Sequence, residues 1–480
     1  MDIIKEKQIS FIHLVLPIVF LLSLIVYGLI LQPRVFGQPA FPLEIVFLLA
    51  TVFSTAHLLL LGFKWVVIQN AIVDKLSKGF PAILILFAIG LIIGTWIVSG
   101  TIPLLIYYGI KLINPDYMYI LAFVIPIIFS MLTGTSWGSV GTIGTVIIGV
   151  AASVNAHLGI TAGAIIGGAY FGDKMSPLSD TTNLAALAVD IDLYDHIRSM
   201  MYTTFPSALI ASVLFFVLGF VYPPVANNTT GTQISDTLLA IESMFNLNVF
   251  LLIPPLIVLY GSIKRMATLP TLLASSIVAS ILALIFQDFG ITGVMTTLKN
   301  GFDTSMAVWV AVIPENLSVL FNRGGLFELN EVIVFSLMAL TFIGTLDVTN
   351  AMPKIVNRVF SFTKTRAAVI LSSLIATAFT NSMTSNQSAT SFIVGDAFKS
   401  RYDQFKISRR VLSRSIEDYG TMVESIIPWH ATSLFMVATL GVAFEDYWHW
   451  QLLSLINIAM APLLAILGIG CFYKKEKKNK

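Results

Sequence analysis

Long stretches without a charged side chain recur along this 480-residue sequence, and they restrict what the chain can fold into. Four of them are 11–32, 203–222, 268–287 and 452–472. Each is close to the ~20 residues that a helix needs to cross the hydrocarbon core of a bilayer. Charged residues make up only 11% of the chain, whereas roughly 25% is typical of soluble domains. The sequence therefore predicts an all-α polytopic membrane protein with roughly 10 to 13 transmembrane segments.

The placement of lysine and arginine predicts how these spans are oriented, because basic residues favour the cytoplasmic side. Basic residues are concentrated in four places: Lys5 with Lys7, 64–78, 399–414 and 474–480. The loops at 223–247 and 441–449 contain acidic residues and no lysine or arginine. We therefore expect both termini in the cytoplasm and these two loops outside.

Parts of the first half of the chain recur in the second half. Three pairs of stretches match: 93–103 with 343–353, 121–139 with 371–389, and 169–182 with 420–433. The first two pairs are 250 residues apart, so that Thr135 faces Ser385. The third pair is 251 residues apart, so that Asp173 faces Glu424. Many of the matched positions are polar, which favours a true duplication over a chance match between apolar segments.

The basic loops indicate how the two copies are oriented. Lysines precede the span 80–100, whereas the basic residues near the matching span 331–350 follow it. If both loops are cytoplasmic, the two spans cross in opposite directions, as in the inverted repeats of many secondary transporters. The chain then divides into five parts: N-terminal spans (1–79), a first transport repeat (80–222), a linker with connecting spans (223–330), a second transport repeat (331–449), and a last span with the basic tail (450–480).

Two stretches are rich in small and polar residues: GTSWGSVGTIG at 134–144 and TNSMTSNQSAT at 380–390. Glycine weakens a helix by about 1 kcal/mol per residue, and irregular backbone at membrane depth persists only where it is buried or lines a wet cavity. We therefore predict broken or re-entrant helices whose oxygens can bind Na⁺. The proposed ligands are Thr135, Ser136, Asn381, Ser385 and Asn386, and Gln387 is a further source of oxygen in the second stretch. Close packing of small residues between helices is the alternative.

The stretch GDKMSPLSDTTN at 172–183 brings charge into an apolar region. Pro177 should interrupt any helix there, and ionisable residues inside a membrane are costly and usually functional. A carboxylate in such a place can hold a cation when ionised or a proton when neutral. The candidates are Asp173, Asp180, Thr181 and Asn183, with Lys174 as a secondary candidate. The alternative is an ion pair of Lys174 with Asp173 or Asp180 at a membrane edge.

In the second repeat the main candidate is Glu424, which has apolar neighbours and faces Asp173 across the duplication. Three further side chains are secondary candidates: Asp347, Thr432 and His430. A proton relay is one role for His430, and a packed histidine is the alternative. Glu417 and Asp418 follow a basic cluster, which is typical of interfacial residues.

Two of these motifs resemble those of a known family. GTSWGSVGT at 134–142 and AYFGDKMSPLSDTTNLA at 169–185, in this order, are similar to motifs of the NhaC family of Na⁺/H⁺ antiporters. That family belongs to a larger group of ion transporters with inverted repeats. The resemblance implies exchange of cytoplasmic Na⁺ for external H⁺ across the inner membrane of a bacterium, without a cofactor. Close relatives with similar motifs exchange malate and protons for lactate and Na⁺.

The residues leave other functions open. An organic acid would need a positive partner, and Lys174 or the N-termini of half-helices near Gly138 and Gly144 could provide one. A passive channel and a membrane-embedded enzyme are further hypotheses, although the six histidines are scattered and the single cysteine, Cys471, excludes a cysteine-based metal site. The expected partners are lipid, Na⁺ and H⁺, with malate and lactate in the second interpretation. Nucleic acid is not expected, and homo-oligomerisation is left open.

Overall fold

The computed structural model describes residues 9–112, 114–224, 230–264, 266–310, 313–360 and 363–473. The termini, whose predicted side of the membrane depends on Lys5, Lys7 and 474–480, lie outside the described residues. Within the described ranges the chain is helical and contains no strand. Nine of the described helices are long and apolar enough to cross a membrane, and up to eleven spans result if each of two bent pairs counts as one. The predicted all-α polytopic architecture is confirmed, with a span count that overlaps the lower end of the expected range.

Twenty-five α-helices make up most of the described chain. They are α1 Phe11–Ile25, α2 Gln32–Val35, α3 Leu43–Leu60, α4 Trp65–Val98, α5 Thr101–Leu112, α6 Met118–Thr133, α7 Ser136–Ser139, α8 Thr145–Ser153, α9 Leu158–Met175, α10 Asp180–Ala188, α11 Leu193–Met200, α12 Thr204–Val221, α13 Thr230–Met244, α14 Ile253–Ile263, α15 Thr268–Phe286, α16 Gly290–Asn300, α17 Glu315–Phe321, α18 Asn330–Asp347, α19 Ala351–Val359, α20 Arg366–Thr384, α21 Gln387–Gln404, α22 Arg409–Tyr419, α23 Ala431–Leu440, α24 Phe444–Tyr447 and α25 Leu452–Leu467. Two segments are π-helical, Val26–Leu31 and Val140–Gly144. Five are 3-10 turns: Pro115–Tyr117, Val249–Leu252, Thr304–Met306, Thr421–Ile426 and Trp448–Trp450.

Helical segments recur along the chain at a spacing of 251 residues. The helix Pro115–Thr133, which includes α6, corresponds to Arg366–Thr384. The next helical segment, Ser136–Ser153, corresponds to Gln387–Gln404. The first residues of α9 and α22 are also 251 positions apart. The internal duplication therefore extends to the bounds of the helices.

The same spacing relates individual hydrogen bonds. Ser130 Oγ donates to the Ala169 carbonyl over 2.7 Å, and Asn381 Nδ2 donates to the Gly420 carbonyl over 3.1 Å. Both partners of the second bond lie 251 residues after those of the first. Each bond ties the helix before a break to a helix of the same repeat, so the two copies share contacts as well as element bounds.

This spacing corrects the register expected for 121–139. At a spacing of 250 residues Thr135 would correspond to Ser385. Its structural counterpart is Asn386, because Thr135 and Asn386 each cap the helix that follows a break. Gly134 then corresponds to Ser385, and both have left-handed backbone, with φ of 67° and 45°. The sequence match was wrong by one residue because hydroxyl residues are dense on both sides of the break and align at either spacing.

Helix α9 runs in the same direction as the segment that leads into α25. Gly163 lies against Trp450, whose carbonyl oxygen would be 2.4 Å from a Cβ atom at that position. One turn later, Gly167 lies against Leu453. Contacts therefore advance along both segments together. The glycines allow close approach of the two backbones, as small residues do between membrane helices.

The counterpart of α9 in the second repeat, helix α22, runs antiparallel to α25. Arg414 donates to the Gly470 carbonyl over 3.0 Å, beyond the end of α25, whereas Tyr419 donates to the Ile458 carbonyl over 2.7 Å, inside it. Contacts thus move backwards along α25 as α22 advances. Because α9 and α22 are equivalent helices of the two repeats, the repeats are inverted, as the basic loops predicted.

Large apolar side chains remain exposed along the outer helices. In α12, Phe205, Leu209, Phe216 and Phe220 are between 45% and 59% exposed. A soluble monomer rarely exposes a contiguous apolar patch of this kind, whereas lipid tails are as apolar as these side chains. Polar residues instead collect inside the protein, where the two repeats meet.

Replacing Gly134 with alanine should destabilise the protein more than the matched change at Gly290. Both glycines have positive φ, but a Cβ at Gly134 would lie 2.6 Å from the backbone carbon of Leu178, and nothing lies within 4 Å of one at Gly290. Both variants carry left-handed strain of about 1–2 kcal/mol, and only G134A adds a backbone clash. We expect a lower apparent melting temperature in detergent for G134A than for G290A, measured by size-exclusion chromatography after heating. Equal melting temperatures would contradict the tight packing at this break.

Candidate functional site

A cavity of about 600 Å³ lies between the two repeats, and both helix breaks are in its wall. The wall contains most of the residues that the sequence predicted as ligands: Thr135, Ser136, Asp173, Asp180, Thr181, Asn183, Ser385, Asn386, Glu424, His430 and Thr432. Asn381 lies behind the wall and donates its Nδ2 to Glu424 Oε1 over 3.3 Å. Lys174 and Asp347 lie away from the cavity wall.

The first break separates α6 from α7. Helix α6 ends at Thr133, and Gly134 turns the chain through its left-handed backbone. The Thr135 hydroxyl then caps α7 by accepting a hydrogen bond from the Gly138 N–H over 3.2 Å. Such partners are needed because hydrocarbon offers no hydrogen bonds to the backbone groups that a helix end leaves free.

The second break separates α20 from α21 with the same geometry. Helix α20 ends at Thr384, and Ser385 adopts the left-handed conformation that Gly134 has in the first break. Asn386 Oδ1 caps α21 by accepting from the Ala389 N–H over 2.8 Å. Both breaks therefore bring polar backbone and hydroxyl oxygens to the cavity.

Asp173 lies in the last turn of α9 and is 4% exposed. Its Oδ2 accepts a hydrogen bond from the Ser136 N–H over 3.0 Å, so the carboxylate lies at the N-terminus of α7. Its Oδ1 has no hydrogen-bond partner among the described residues. A buried carboxylate oxygen without a donor is costly, and here it belongs to a residue of the cavity wall, where a cation or a proton could bind it.

Glu424, the counterpart of Asp173, is 8% exposed and lies on a 3-10 turn rather than an α-helix. Helix α22 ends at Tyr419, whereas the equivalent part of α9 continues as α-helix. The two carboxylate oxygens of Glu424 accept hydrogen bonds from Asn381 Nδ2 over 3.3 Å and from Thr432 Oγ1 over 3.0 Å. Two predicted ligands thus act as direct partners of this acid.

Lys174 is fully buried and forms an ion pair with Asp418. The same oxygen of Asp418 accepts hydrogen bonds from Thr203 Oγ1 and Asn457 Nδ2, each over 3.0 Å. The Nε atom of Arg414 lies 3.9 Å from the other oxygen of Asp418. The charge of Lys174 is therefore compensated by a dense network behind the cavity.

This network corrects two expectations from the sequence. The partner of Lys174 is neither Asp173 nor Asp180. Glu417 and Asp418 are not interfacial, because both are 0% exposed. Helix α22 begins nine residues before Asp418, which places that residue about 13 Å along the helix axis and well inside the protein.

The polar residues after Pro177 hold the turn between α9 and α10. Asn183 Nδ2 donates to the carbonyls of Pro177 and Ser179, over 3.0 and 2.6 Å. The Thr181 hydroxyl lies 3.0 Å from the Ser179 hydroxyl, and Asp180 Oδ1 accepts the Thr181 N–H over 2.9 Å. Asp180 is exposed and faces the cavity, while the amide of Asn183 is engaged in the turn.

Two secondary candidates have structural partners. His430 caps α23, since its Nδ1 accepts the Thr432 N–H over 3.1 Å. Asp347 Oδ2 lies 3.1 Å from Lys75 Nζ, and its side chain is 47% exposed. The structure therefore brings His430 to the cavity as a helix cap and leaves Asp347 outside it.

Two more polar residues of the cavity wall are Gln387, which the sequence indicated as a source of oxygen, and Thr421, which it did not indicate. Gln387 is in the wall, its Nε2 donates to the Ile416 carbonyl over 3.1 Å, and its buried Oε1 has no partner among the described residues. Thr421 is also in the wall and donates its hydroxyl to Glu417 Oε2 over 2.6 Å. The spacing of 251 places Gln387 on Ser136, so the same position lines the cavity in both repeats.

The cavity combines carboxylate, hydroxyl and carbonyl oxygens, which are ligands for hard cations. No group of three or more His, Cys, Asp or Glu side chains suited to a metal ion occurs among the described residues. Its two buried acids, Asp173 and Glu424, are instead placed one in each repeat, with hydroxyl or amide N–H partners. Such an arrangement can bind a monovalent cation or a proton at either acid.

Comparison with known proteins assigns a family to most of this chain. The model of the Na⁺/H⁺ antiporter family matches residues 168–469. The match includes the second repeat in full and begins just before Asp173. It therefore covers all three acids among the described residues of the cavity wall: Asp173, Asp180 and Glu424.

Three relatives match over nearly the whole length of both partners. An uncharacterized Na⁺/H⁺ antiporter of Haemophilus influenzae is 39% identical over 95% of each chain. The Na⁺/H⁺ antiporter NhaC of Bacillus subtilis is 34% identical over 98% of this chain and 100% of its own. The malate-2H⁺/Na⁺-lactate antiporter of Bacillus subtilis is 33% identical over 88% of each chain.

Separating Lys174 from Asp418 should destabilise the protein more than removing both charges. Removing one partner of a buried ion pair leaves an unpaired charge and typically costs about 3–5 kcal/mol. We expect D418N to lower the apparent melting temperature in detergent more than the double variant K174M/D418N does. If K174M/D418N lowered the melting temperature by as much as K174M and D418N added together, the pair would not be a coupled unit.

Proposed function

We propose that this chain, which belongs to the Na⁺/H⁺ antiporter family as its NhaC-like motifs predicted, is a secondary antiporter that exchanges cytoplasmic Na⁺ for external H⁺. The observation that carries the proposal is the pair of buried acids, Asp173 and Glu424, in the wall of one cavity between inverted repeats. Family membership points to a transporter rather than an enzyme. We place the protein in a bacterial cell membrane with both termini in the cytoplasm.

One carboxylate that binds either Na⁺ or H⁺ is sufficient for exchange. When ionised, Asp173 would bind Na⁺ through Oδ1, the oxygen without a donor among the described residues, with hydroxyl oxygens of the wall as further ligands. When neutral, the same oxygen would carry the proton. An empty, ionised site is disfavoured because a buried unpaired charge is costly. The site therefore changes from one side of the membrane to the other with either Na⁺ or H⁺ bound to Asp173.

The inverted repeats support an alternating-access mechanism. Substrate sites of such transporters lie at the repeat interface on discontinuous helices, and rocking of one repeat against the other opens the site to each side in turn. The cavity lies between equivalent breaks, after α6 and after α20. Rearrangement at these breaks would let the same acids face the cytoplasm and then the exterior.

A Na⁺- and H⁺-coupled malate/lactate exchange is the second candidate, favoured by the 33% identity to the Bacillus subtilis malate-2H⁺/Na⁺-lactate antiporter. An organic acid needs a positive partner, yet the described residues of the cavity wall include no lysine or arginine. Lys174 is buried against Asp418. The Ser136 N–H, at a helix N-terminus, already donates to Asp173. These contacts favour Na⁺ and H⁺ alone as cargo.

The proposal is tested by the change in internal pH when Na⁺ is added to proteoliposomes with an acidic interior. We expect Na⁺ alone to make the interior more alkaline, because Na⁺ enters as H⁺ leaves. Liposomes without protein are the control. If Na⁺ alone has no effect, but protons move once lactate and malate are on opposite sides, the second candidate replaces the first.

Neutralising Asp173 or Glu424, the two buried acids of the cavity wall, should impair exchange. A hydrogen bond or contact to a charged group contributes about 1.5–3 kcal/mol, so D173N and E424Q should each lower Na⁺-driven proton movement by roughly tenfold or more. The matched control is D347N, which removes a carboxylate outside the cavity and should remain near wild-type activity. Full activity of D173N would remove Asp173 from the proposed site.

A further inference from the structure

Another buried carboxylate, that of Glu417, lies just behind the cavity wall. Glu417 is 0% exposed and, unlike Asp173 and Glu424, does not line the cavity. Its Oε2 accepts a hydrogen bond from the Thr421 hydroxyl over 2.6 Å, and its Oε1 has no hydrogen-bond partner in the described part of the chain. An anion with a single donor is disfavoured in a protein interior, so the structure favours a neutral, protonated Glu417.

The neighbouring basic side chains are engaged with Asp418 rather than with Glu417. Lys174 donates to Asp418, and Arg414 approaches the other oxygen of Asp418. Among the described residues, neither forms an ion pair with Glu417. The charged groups that act on Glu417 from the packed elements are Asp173 and Lys174 of α9, and Asp418 and Glu424 that follow it in the chain. Lys174 also acts on the buried His196 of α11.

Thr421 connects Glu417 with the cavity. Thr421 is part of the cavity wall, and its hydroxyl is the donor to Glu417. A hydroxyl both donates and accepts hydrogen bonds. A hydronium ion in the cavity can therefore give its proton to Thr421 Oγ as the hydroxyl proton moves to Glu417 Oε2. The products are a water, a neutral threonine and a neutral glutamic acid, and the reverse transfer releases the proton again.

We propose that Glu417 binds one of the exchanged protons, at a site separate from the acids that bind Na⁺. The inference rests on the proposed Na⁺/H⁺ exchange. Na⁺ that enters beside Asp173 and Glu424 adds positive charge near Glu417, which favours release of its proton. Departure of Na⁺ favours proton uptake, and this coupling is reciprocal. Glu417 thereby adds to the number of protons exchanged for each Na⁺.

Two variants of the full chain separate a titrating role from a structural role. E417Q keeps the size of the side chain and an oxygen for the Thr421 hydrogen bond, but it cannot bind and release a proton. E417D changes the shape more and keeps a carboxyl group. In proteoliposomes, the H⁺:Na⁺ ratio follows from the Na⁺ gradient, pH gradient and membrane potential at which net flux is zero. We expect this ratio to fall by one in E417Q and to match the wild type in E417D, while both variants retain ²²Na⁺ counterflow.

An unchanged ratio in E417Q would overturn the inference. Loss of ²²Na⁺ counterflow in an E417Q protein that elutes as a folded species would also overturn it, because Glu417 would then serve the Na⁺ site. If E417Q does not fold, T421V provides the test, since loss of the connecting hydroxyl should slow proton-coupled exchange severalfold, and an unchanged rate contradicts the relay. If wild-type protein moves no protons with Na⁺ alone, the proposed function fails instead, and the same ratio is measured in malate/lactate exchange.

Discussion

Inside a bilayer-spanning protein, a broken helix persists only if the backbone groups at the break find partners within the protein. At each break a capping side chain accepts a hydrogen bond from the helix that follows. The cap is Thr135 in the first repeat and Asn386 in the second. Asp173 adds a carboxylate at the N–H of Ser136. The polar groups that make the breaks possible are the same groups that give the cavity its oxygen atoms. Fold and site therefore depend on one requirement, and the cavity follows from where the two breaks meet.

A second buried network holds this arrangement in place. Lys174 of α9 and Asp418 of α22 belong to different repeats, and their ion pair is completed by Thr203, next to α12, and by Asn457 of α25. Hydrogen bonds to the groups of a buried ion pair stabilise it, and Thr203 and Asn457 both donate to the same oxygen of Asp418. The network thus joins four helices behind the cavity. Lys174 is paired with Asp418, whereas the described residues of the wall that holds Asp173 and Glu424 include no lysine or arginine, so scaffold and exchange site are chemically distinct.

Much of the architecture could be predicted because it depends on local properties of the sequence. Apolar length predicts spans, glycine and hydroxyl density predicts the breaks, and the asymmetry of basic loops predicts the inversion. The predicted register of this match was wrong by one residue, because the sequence aligns Thr135 about equally well with Ser385 and with Asn386. The cap geometry decides for Asn386, because the residue before it has to adopt a left-handed backbone at the helix end.

The sequence by itself determined the membrane class, the family and the duplication, and most of the ligands that it predicted lie in the cavity wall. Only the tertiary structure decided which acids share a space and which are compensated. Asp418 follows a basic cluster in sequence and yet is the buried partner of Lys174, 244 residues away. Glu417, its neighbour, lies behind the wall, and one of its oxygens has no hydrogen-bond partner among the described residues. The reason is physical: burial and ion pairing depend on distances between helices, and residues one position apart on a helix point in different directions.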